Sequence, residues 1–159
     1  QLDRFMLKVL VDHPPLSVEV TLLQNVLGGF DASNLDAAGI ESVVTAAEIE
    51  ALSNVAARIR VDQEILEYIA ALVGRTRGHT AVDVGASPRA GIALLKCSQV
   101  LAAAEGRTYV VPDDIKELAR PVLRHRFLLQ PDAELEGVTA DQVVADVLAD
   151  VSVPGGEDS

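Results

Sequence analysis

Residues 87–106 read Ser-Pro-Arg-Ala-Gly-Ile-Ala-Leu-Leu-Lys-Cys-Ser-Gln-Val-Leu-Ala-Ala-Ala-Glu-Gly. Ser87 is placed to cap a helix, and Pro88 takes the first helical position, where a missing N–H costs nothing. Ala90, Leu94, Cys97, Leu101 and Ala104 follow at steps of 4, 3, 4 and 3, the period of one helix face. The segment is apolar nearly all round, so it is expected to be the central and most buried helix. Gly106 is its stop.

Helical signals continue on both sides. Downstream, Pro112-Asp113-Asp114 opens a helix carrying Ile115, Leu118, Ala119 and Val122, which Pro121 is expected to kink. Thr139-Ala140-Asp141-Gln142 is a capping box ahead of Val143, Val144, Val147, Leu148 and Val151. Upstream, residues 78–86 read as a loop containing Gly78, His79, Asp83 and Gly85. Asp62 is the expected cap of a helix with Ile65, Leu66, Ile69, Leu72 and Val73 as its stripe, ended by Gly74 near Arg75 and Arg77. Ile59 and Val61 fit a short extended link. A second capping box, Thr45-Ala46-Ala47-Glu48, opens a helix expected to turn Ile49, Leu52, Val55, Ala56 and Ile59 inward. Residues 30–44 read as a loop, broken by Asp31, Asn34, Asp36 and Gly39. Ser17 is the expected N-cap of a helix with Leu22, Leu23, Val26 and Leu27, stopped by Gly28-Gly29. Residues 5–11, Phe-Met-Leu-Lys-Val-Leu-Val, read as a strand ended by Asp12-His13-Pro14-Pro15. A strand needs a ladder, so its sheet is expected upstream. The pattern predicts an all-α bundle of about six helices after residue 16, preceded by a stray strand, with no internal repeat.

Composition bounds the function. The 159 residues make about one domain and can bury a core without disulfides or metals. Aromatics are 3% and Trp is absent, so the core is aliphatic and Ala-rich. The net charge of −11 repels a phosphate backbone, which speaks against nucleic-acid binding and against a helix-turn-helix built on residues 87–105 or 112–126. The single Cys97 excludes an internal disulfide and fits a reducing compartment. No apolar run approaches the roughly 20 residues of a membrane helix. Gln1-Leu2-Asp3-Arg4-Phe5 has neither an initiator Met nor a signal-peptide pattern, so the chain is expected to be a cytoplasmic piece of a longer protein.

Self-sufficient catalysis has no support in the residues. There is no Gly-Lys pair, hence no phosphate-cradling loop. Tyr109-Val110-Val111-Pro112-Asp113-Asp114 imitates a strand ending in carboxylates for Mg²⁺, but the Pro and the following helix favour acids at a helix N-terminus. His13, His79 and His125 are too dispersed for a metal motif, and no metal site is expected. Cys97 lies in an apolar stripe and is expected to be a small buried hydrophobe. Two arginines stand out. Arg89, at the second position of its helix, opposes the helix dipole at a cost of roughly 0.3–1 kcal/mol. Beside free backbone N–H groups it would make an anion site suited to phosphate; a solvated Arg or one paired with Asp83 is the alternative. Arg4 precedes the expected strand, where it would point into a neighbour or simply into solvent.

Three segments together carry a family likeness. Gly85-Ala86-Ser87-Pro88-Arg89-Ala90, then Gly106-Arg107-Thr108-Tyr109-Val110-Val111-Pro112-Asp113-Asp114, then Val122-Leu123-Arg124-His125-Arg126 form an ordered series. It resembles the C-terminal lid of MoxR-type AAA+ ATPases, and Gln1–Phe5 resembles the end of their ATPase core. The likeness covers most of residues 1–153 and is weakest in the 28–44 loop. It implies a division into the end of the AAA+ core (1–12), a linker (13–16), a helical lid (17–153) and a disordered tail (154–159).

By position, the resemblance makes Arg89 the sensor-2 arginine, which reaches the terminal phosphate of the nucleotide, with Ser87 and Pro88 beside it in the nucleotide-binding set. It makes Arg4 the arginine finger that enters the next subunit's site. Arg124-His125-Arg126 matches the family pattern without an assigned role. Val111 departs from it, standing where the family usually has a capping Thr worth about 1 kcal/mol. The implied parent uses ATP and Mg²⁺, forms a homo-oligomeric ring, commonly a hexamer, and remodels or activates partner proteins, including ones with von Willebrand factor A domains. The fragment alone, without Walker A and Walker B motifs, is expected to bind neither cofactor and to be inactive. The alternative is an autonomous acidic helical interaction domain with no nucleotide role.

Overall fold

Caps and apolar periods place most helices of the computed structural model, which describes residues 2–34 and 39–155. Among the described residues there are seven α-helices: α1 (Leu16–Leu27), α2 (Ala46–Ala56), α3 (Gln63–Arg77), α4 (Pro88–Ala104), α5 (Pro112–Leu123), α6 (Pro131–Leu135) and α7 (Ala140–Asp150). A two-stranded sheet, β1 (Val82–Val84) and β2 (Leu128–Leu129), and a turn of 3-10 helix at Leu2–Arg4 complete the inventory. The chain divides into two units, residues 1–9 with 51–159, and residues 10–50.

The larger unit holds the core. The helix α4 packs against α3 and α5, and α7 against α3 and α5. Leu72 of α3, Leu94 of α4, Ile115 and Leu123 of α5, and Val143 and Val147 of α7 are completely buried. Ala90, Ala102 and Ala119 are also fully buried, and their small side chains let the helices approach closely. Thr139 caps α7 as its sequence predicts: its Oγ1 accepts the Gln142 N–H at 3.3 Å, and Gln142 Oε1 accepts the Thr139 N–H at 2.7 Å. An isolated parallel bridge, Arg60 to Tyr109, ties the segment before α3 to the segment before α5.

Several boundaries differ from expectation. The helix α3 runs through Gly74 to Arg77, because Thr76 beyond that glycine is fully buried and keeps the last turn packed. Asp62 occupies the N-cap position of α3 but its carboxylate pairs with Arg60 at 3.2 Å instead of capping. The helix α4 is not buried all round. Leu101 is half-buried, Ala104 is exposed, and Ile92 and Val100 face solvent, since its neighbours cover only part of its circumference. The 78–86 segment contains β1, which pairs antiparallel with β2, Val82 opposite Leu129 and Val84 opposite Leu128. Strands of three and two residues are too short to show alternation, and the five-residue α6 is too short to show a helical period.

Residues 5–11 are not a strand. They carry no ladder, and Phe5, Met6, Leu7, Val9, Leu10 and Val11 are exposed. Extended apolar sequence becomes a strand only beside another strand. A backbone bond sends the Lys8 N–H to the carbonyl of Pro121, 2.8 Å away in the last turn of α5.

In the smaller unit, α1 begins at Leu16 with Pro15 rather than Ser17 at its N-cap; the Pro15 carbonyl accepts the Val18 N–H at 2.8 Å. The Thr45 box forms, with Glu48 Oε2 accepting the Thr45 N–H at 2.7 Å and Thr45 Oγ1 accepting the Glu48 N–H at 3.3 Å. The helix α1 buries none of its residues, and α2 buries only Ala56, so Ile49, Leu52 and Val55 do not form the expected inward stripe. Described residues between α1 and α2 form no helix or strand. The breaker Asp36 and tail residues 156–159 lie outside the described residues.

Candidate functional site

The start of α4 is fastened to the end of α3. Thr76 Oγ1 donates to the Val73 carbonyl at 2.7 Å and accepts the Ala86 N–H at 3.0 Å. Arg77 Nε donates to the Ala86 carbonyl at 2.9 Å. Gly85 lies so close that a Cβ there would meet the Arg77 Cα at 2.6 Å. Ser87 is therefore delivered to one place. Its Oγ accepts the Arg89 N–H at 3.2 Å, and Pro88 follows at the first helical position, as the sequence predicts.

The chain's first residues come to the same point. Ser87 Oγ donates to Asp3 Oδ2 at 3.0 Å. Arg126, its side chain only 2% exposed, donates through Nη1 to Asp3 Oδ1 at 3.0 Å and to the Asp3 carbonyl at 2.7 Å. Its Nη2 donates to the Phe5 carbonyl at 2.6 Å. His125 Nε2 lies 3.0 Å from the same carbonyl, and Arg124 pairs with Asp141 of α7 at 2.9 Å. The Arg124-His125-Arg126 run, which has no role in the sequence reading, anchors residues 3–6 and α7.

Beside this clasp is an open cavity of about 360 Å³, lined by Arg4, Arg89, Lys96 and Arg126 together with Asp3 and Ile92. Arg126 is neutralised by Asp3. Arg4, Arg89 and Lys96 have no ion-pair or hydrogen-bond partner for their side chains among the described residues, and Arg89 forms no pair with Asp83. Three unneutralised cations around one hollow repel one another and favour an anion with several oxygens. Arg4 and Arg89, separated by most of the chain, thus share one cavity. Ser87 and Pro88 do not line it: the Ser87 hydroxyl is occupied by Asp3 and the cap, and Pro88 borders a separate apolar groove with Leu66, Ile69, Val73 and Leu95. Lys96 escapes the sequence reading, although its spacing of seven from Arg89 puts the two on one helix face.

Other polar groups are engaged structurally. Asp114, buried at the start of α5, accepts the Val111 N–H at 2.8 Å and two bonds from Arg107, at 2.6 and 2.8 Å. Val111 has no acceptor to return, so α5 keeps half of a capping box. The Asp114 and Glu105 bonds push the Arg107 guanidinium pKa further up. Asp113 pairs with Lys116 at 2.8 Å. These two acids serve the helix N-terminus, as their sequence context predicts. Cys97 is buried, and burial pushes its thiol pKa up, making it a poor nucleophile. His79 lies 3.4 Å from Asp146. Among the described residues no three His, Cys, Asp or Glu side chains cluster as metal ligands, and no helix is long and apolar enough to cross a membrane.

Residues 74–147 match the family model of the AAA lid domain. Over 154 residues the chain is 36% identical to the uncharacterised protein YeaC of Bacillus subtilis, covering 97% of this chain and 47% of that protein. It is 28% identical over 163 residues to Chaperone MoxR1 of Mycobacterium tuberculosis, covering 97% of this chain and 41% of MoxR1. The fold matches a crystal structure from Cytophaga hutchinsonii, provisionally described as an ATPase, with a TM-score of 0.80 and 27% identity over 96% of this chain and 47% of that one. The chain thus spans less than half the length of each of these relatives. A lid-domain match over the helical core, together with likeness to a MoxR chaperone and to an ATPase structure across nearly the whole chain, places this protein in the MoxR-type AAA+ ATPase family, as its lid region.

Proposed function

We propose that this chain is the nucleotide-responsive lid of a MoxR-type ATPase and that its basic cavity receives the terminal phosphate of ATP. The convergence of Arg4 and Arg89 on one hollow, both without partners, carries this reading. Arg89 presents a planar fork to phosphate oxygens from the start of a helix whose N–H groups also favour an anion. Charge on the phosphoryl group grows during transfer, and a fixed guanidinium stabilises it. Loss of the phosphate removes the attraction, and the lid is released. Arg4 acts as the arginine finger. Because it shares a cavity with Arg89, both act on the same nucleotide, and a finger that enters the neighbour's site brings Arg89 with it. Ser87 supports the site from behind by capping the Arg89 helix. In the full-length protein Mg²⁺ would supply positive charge beside the phosphates, and no residue of this chain is assigned to it.

The full-length protein assembles as a ring, commonly a hexamer, in the cytoplasm. It couples ATP hydrolysis to chaperone-like remodelling or activation of partners, including proteins with von Willebrand factor A domains. The chaperone named among the relatives supports this reading.

The test pairs ATPase turnover with melting temperature in the full-length protein. Arg89→Ala and Arg4→Ala should each lower turnover by roughly 10²–10³-fold and leave the melt unchanged. Leu94→Ala, which empties a fully buried site, should instead cost about 2–5 kcal/mol of stability. Near-normal turnover in Arg89→Ala with an unchanged melt would reduce Arg89 to a surface residue. An early melt would make it structural. If the coding sequence has no Walker A loop and Walker B carboxylate within roughly 250 residues upstream, the span of a typical domain, the autonomous interaction domain becomes the better reading.

A further inference from the structure

We propose that Asp3 and Arg126 are positioning residues that set Arg4 and the start of the Arg89 helix against each other, so that the two guanidiniums face one phosphate. The proposal rests on the nucleotide reading of the basic cavity. Its observation is separate: a chain of hydrogen bonds that begins at Arg126 and ends at the Arg89 backbone.

Arg126 grips the residues on either side of Arg4. Its two terminal nitrogens donate to the carbonyls of Asp3 at 2.7 Å and of Phe5 at 2.6 Å. The Arg4 backbone is held from both neighbours while its side chain stays free to reach the cavity. The Asp3 carboxylate then divides its oxygens. One takes Arg126 Nη1 and the other takes the Ser87 hydroxyl, each at 3.0 Å. Ser87 in turn accepts the N–H of Arg89 itself. One carboxylate therefore links the segment carrying Arg4 to the cap of the helix carrying Arg89.

Apolar packing does not do this job. Leu2 is 60% exposed and Phe5 is 64% exposed, so little hydrophobic burial holds residues 2–6 in place. The polar clasp is what remains, and a buried guanidinium fork spanning two carbonyls and a carboxylate is geometrically specific. Among the described residues, every hydrogen bond of the Arg126 side chain goes to Asp3, Phe5 or Met6 and none to the α-helices. Its loss should misplace Arg4 more than it loosens the bundle.

The experiment measures kcat and KM for ATP, with melting temperature, in full-length Arg126→Gln, Asp3→Asn, Arg4→Ala and the doubles Arg126→Gln/Arg4→Ala and Asp3→Asn/Arg4→Ala. Arg126→Gln should lower kcat by roughly 10–100-fold, the penalty of about 1 Å of misplacement, with KM little changed. Each double should be no slower than Arg4→Ala alone, because a misplaced finger and a missing finger are the same defect. A merely structural Arg126 would give multiplying losses and a lowered melt, and that result would overturn the proposal. So would wild-type kcat in Arg126→Gln when Arg4→Ala is slow. If Arg126→Gln does not fold, Asp3→Asn decides the matter: it keeps the carbonyl contacts, loses the charge, and must show the same non-additivity. Normal turnover in Arg4→Ala would sink the finger assignment and this proposal with it, whereas a slow Arg4→Ala with additive doubles sinks this proposal alone.

Discussion

Gly85 and Gly74 show how two glycines a few residues apart are used in opposite ways. At Gly85 a Cβ would stand 2.5 Å from the Arg77 Cγ and 2.6 Å from its Cα. The second contact is backbone and cannot swing aside. Gly85→Ala should therefore destabilise by about 1–3 kcal/mol, as overpacking does, and should disturb the Ser87 cap and Arg89 with it. Gly74 lies within α3 with open space at the Cβ position. Gly74→Ala should stabilise by about 0.5–1 kcal/mol, because the unfolded chain loses freedom and the helix gains propensity. Thermal melts of the two variants test opposite signs at one helix–helix junction. A loss at position 74 or neutrality at position 85 would contradict the packing described.

Two helices of this chain are opened by the same device with different chemistry. The α2 box uses Glu48 and the α7 box uses Gln142. The Thr45 N–H, and then its hydroxyl, hold the Glu48 carboxyl below the ordinary glutamate range. A lowered folded pKa means that the cap's contribution is complete above the unfolded value and is lost as pH falls through the folded one. The Gln142 box has no proton to gain and should be indifferent over that window. Amide exchange at Thr45 and Thr139, whose N–H groups donate to Glu48 and Gln142, followed between pH 6 and acid, about two units below the ordinary Glu value, should show protection falling at Thr45 alone. Equal loss at both would mean that the boxes do not set the local stability. The helix α5 shows a third solution. Val111 cannot cap, and Asp114, held by Arg107, supplies the missing acceptor from inside the helix.

At the scale of the molecule, the larger unit contains a packed helical core and a cationic hollow, and the sequence holds no Gly-Lys pair and hence no phosphate-cradling loop. Phosphoryl transfer needs a cradle and a metal as well as arginines. The chain by itself should show no magnesium-dependent ATP turnover above a heat-treated control; clear turnover in a clean preparation would contradict the division of labour proposed. The smaller unit contrasts with the larger one. Leu22, Leu23, Val26 and Leu27 have the helical spacing of a core face, and α1 forms, yet none of them is buried. Some 40 residues are too few to build a core of their own.

Local chemistry determined what a few consecutive residues can decide. The Ser87-Pro88 start of α4, the two Thr boxes, the stop at Gly106 and the buried positions of Leu72, Leu94 and Val143 follow from backbone geometry and periodicity. Arg89 was legible from its helix position as either an anion-binding or a solvated arginine, and the family resemblance singled out the first. Tertiary structure alone decided the rest. Residues 5–11 have the sequence of a strand and are not one, because a ladder belongs to two segments. The pairing of Val82–Val84 with Leu128–Leu129 depends on chain entering from far along the sequence. The clasp of Asp3 by Arg126 joins the first residues of the chain to the turn after α5, and the meeting of Arg4 with Arg89 follows from it. Spacing along one helix exposes contacts within that helix, whereas contacts between distant segments exist only once the core has brought them together.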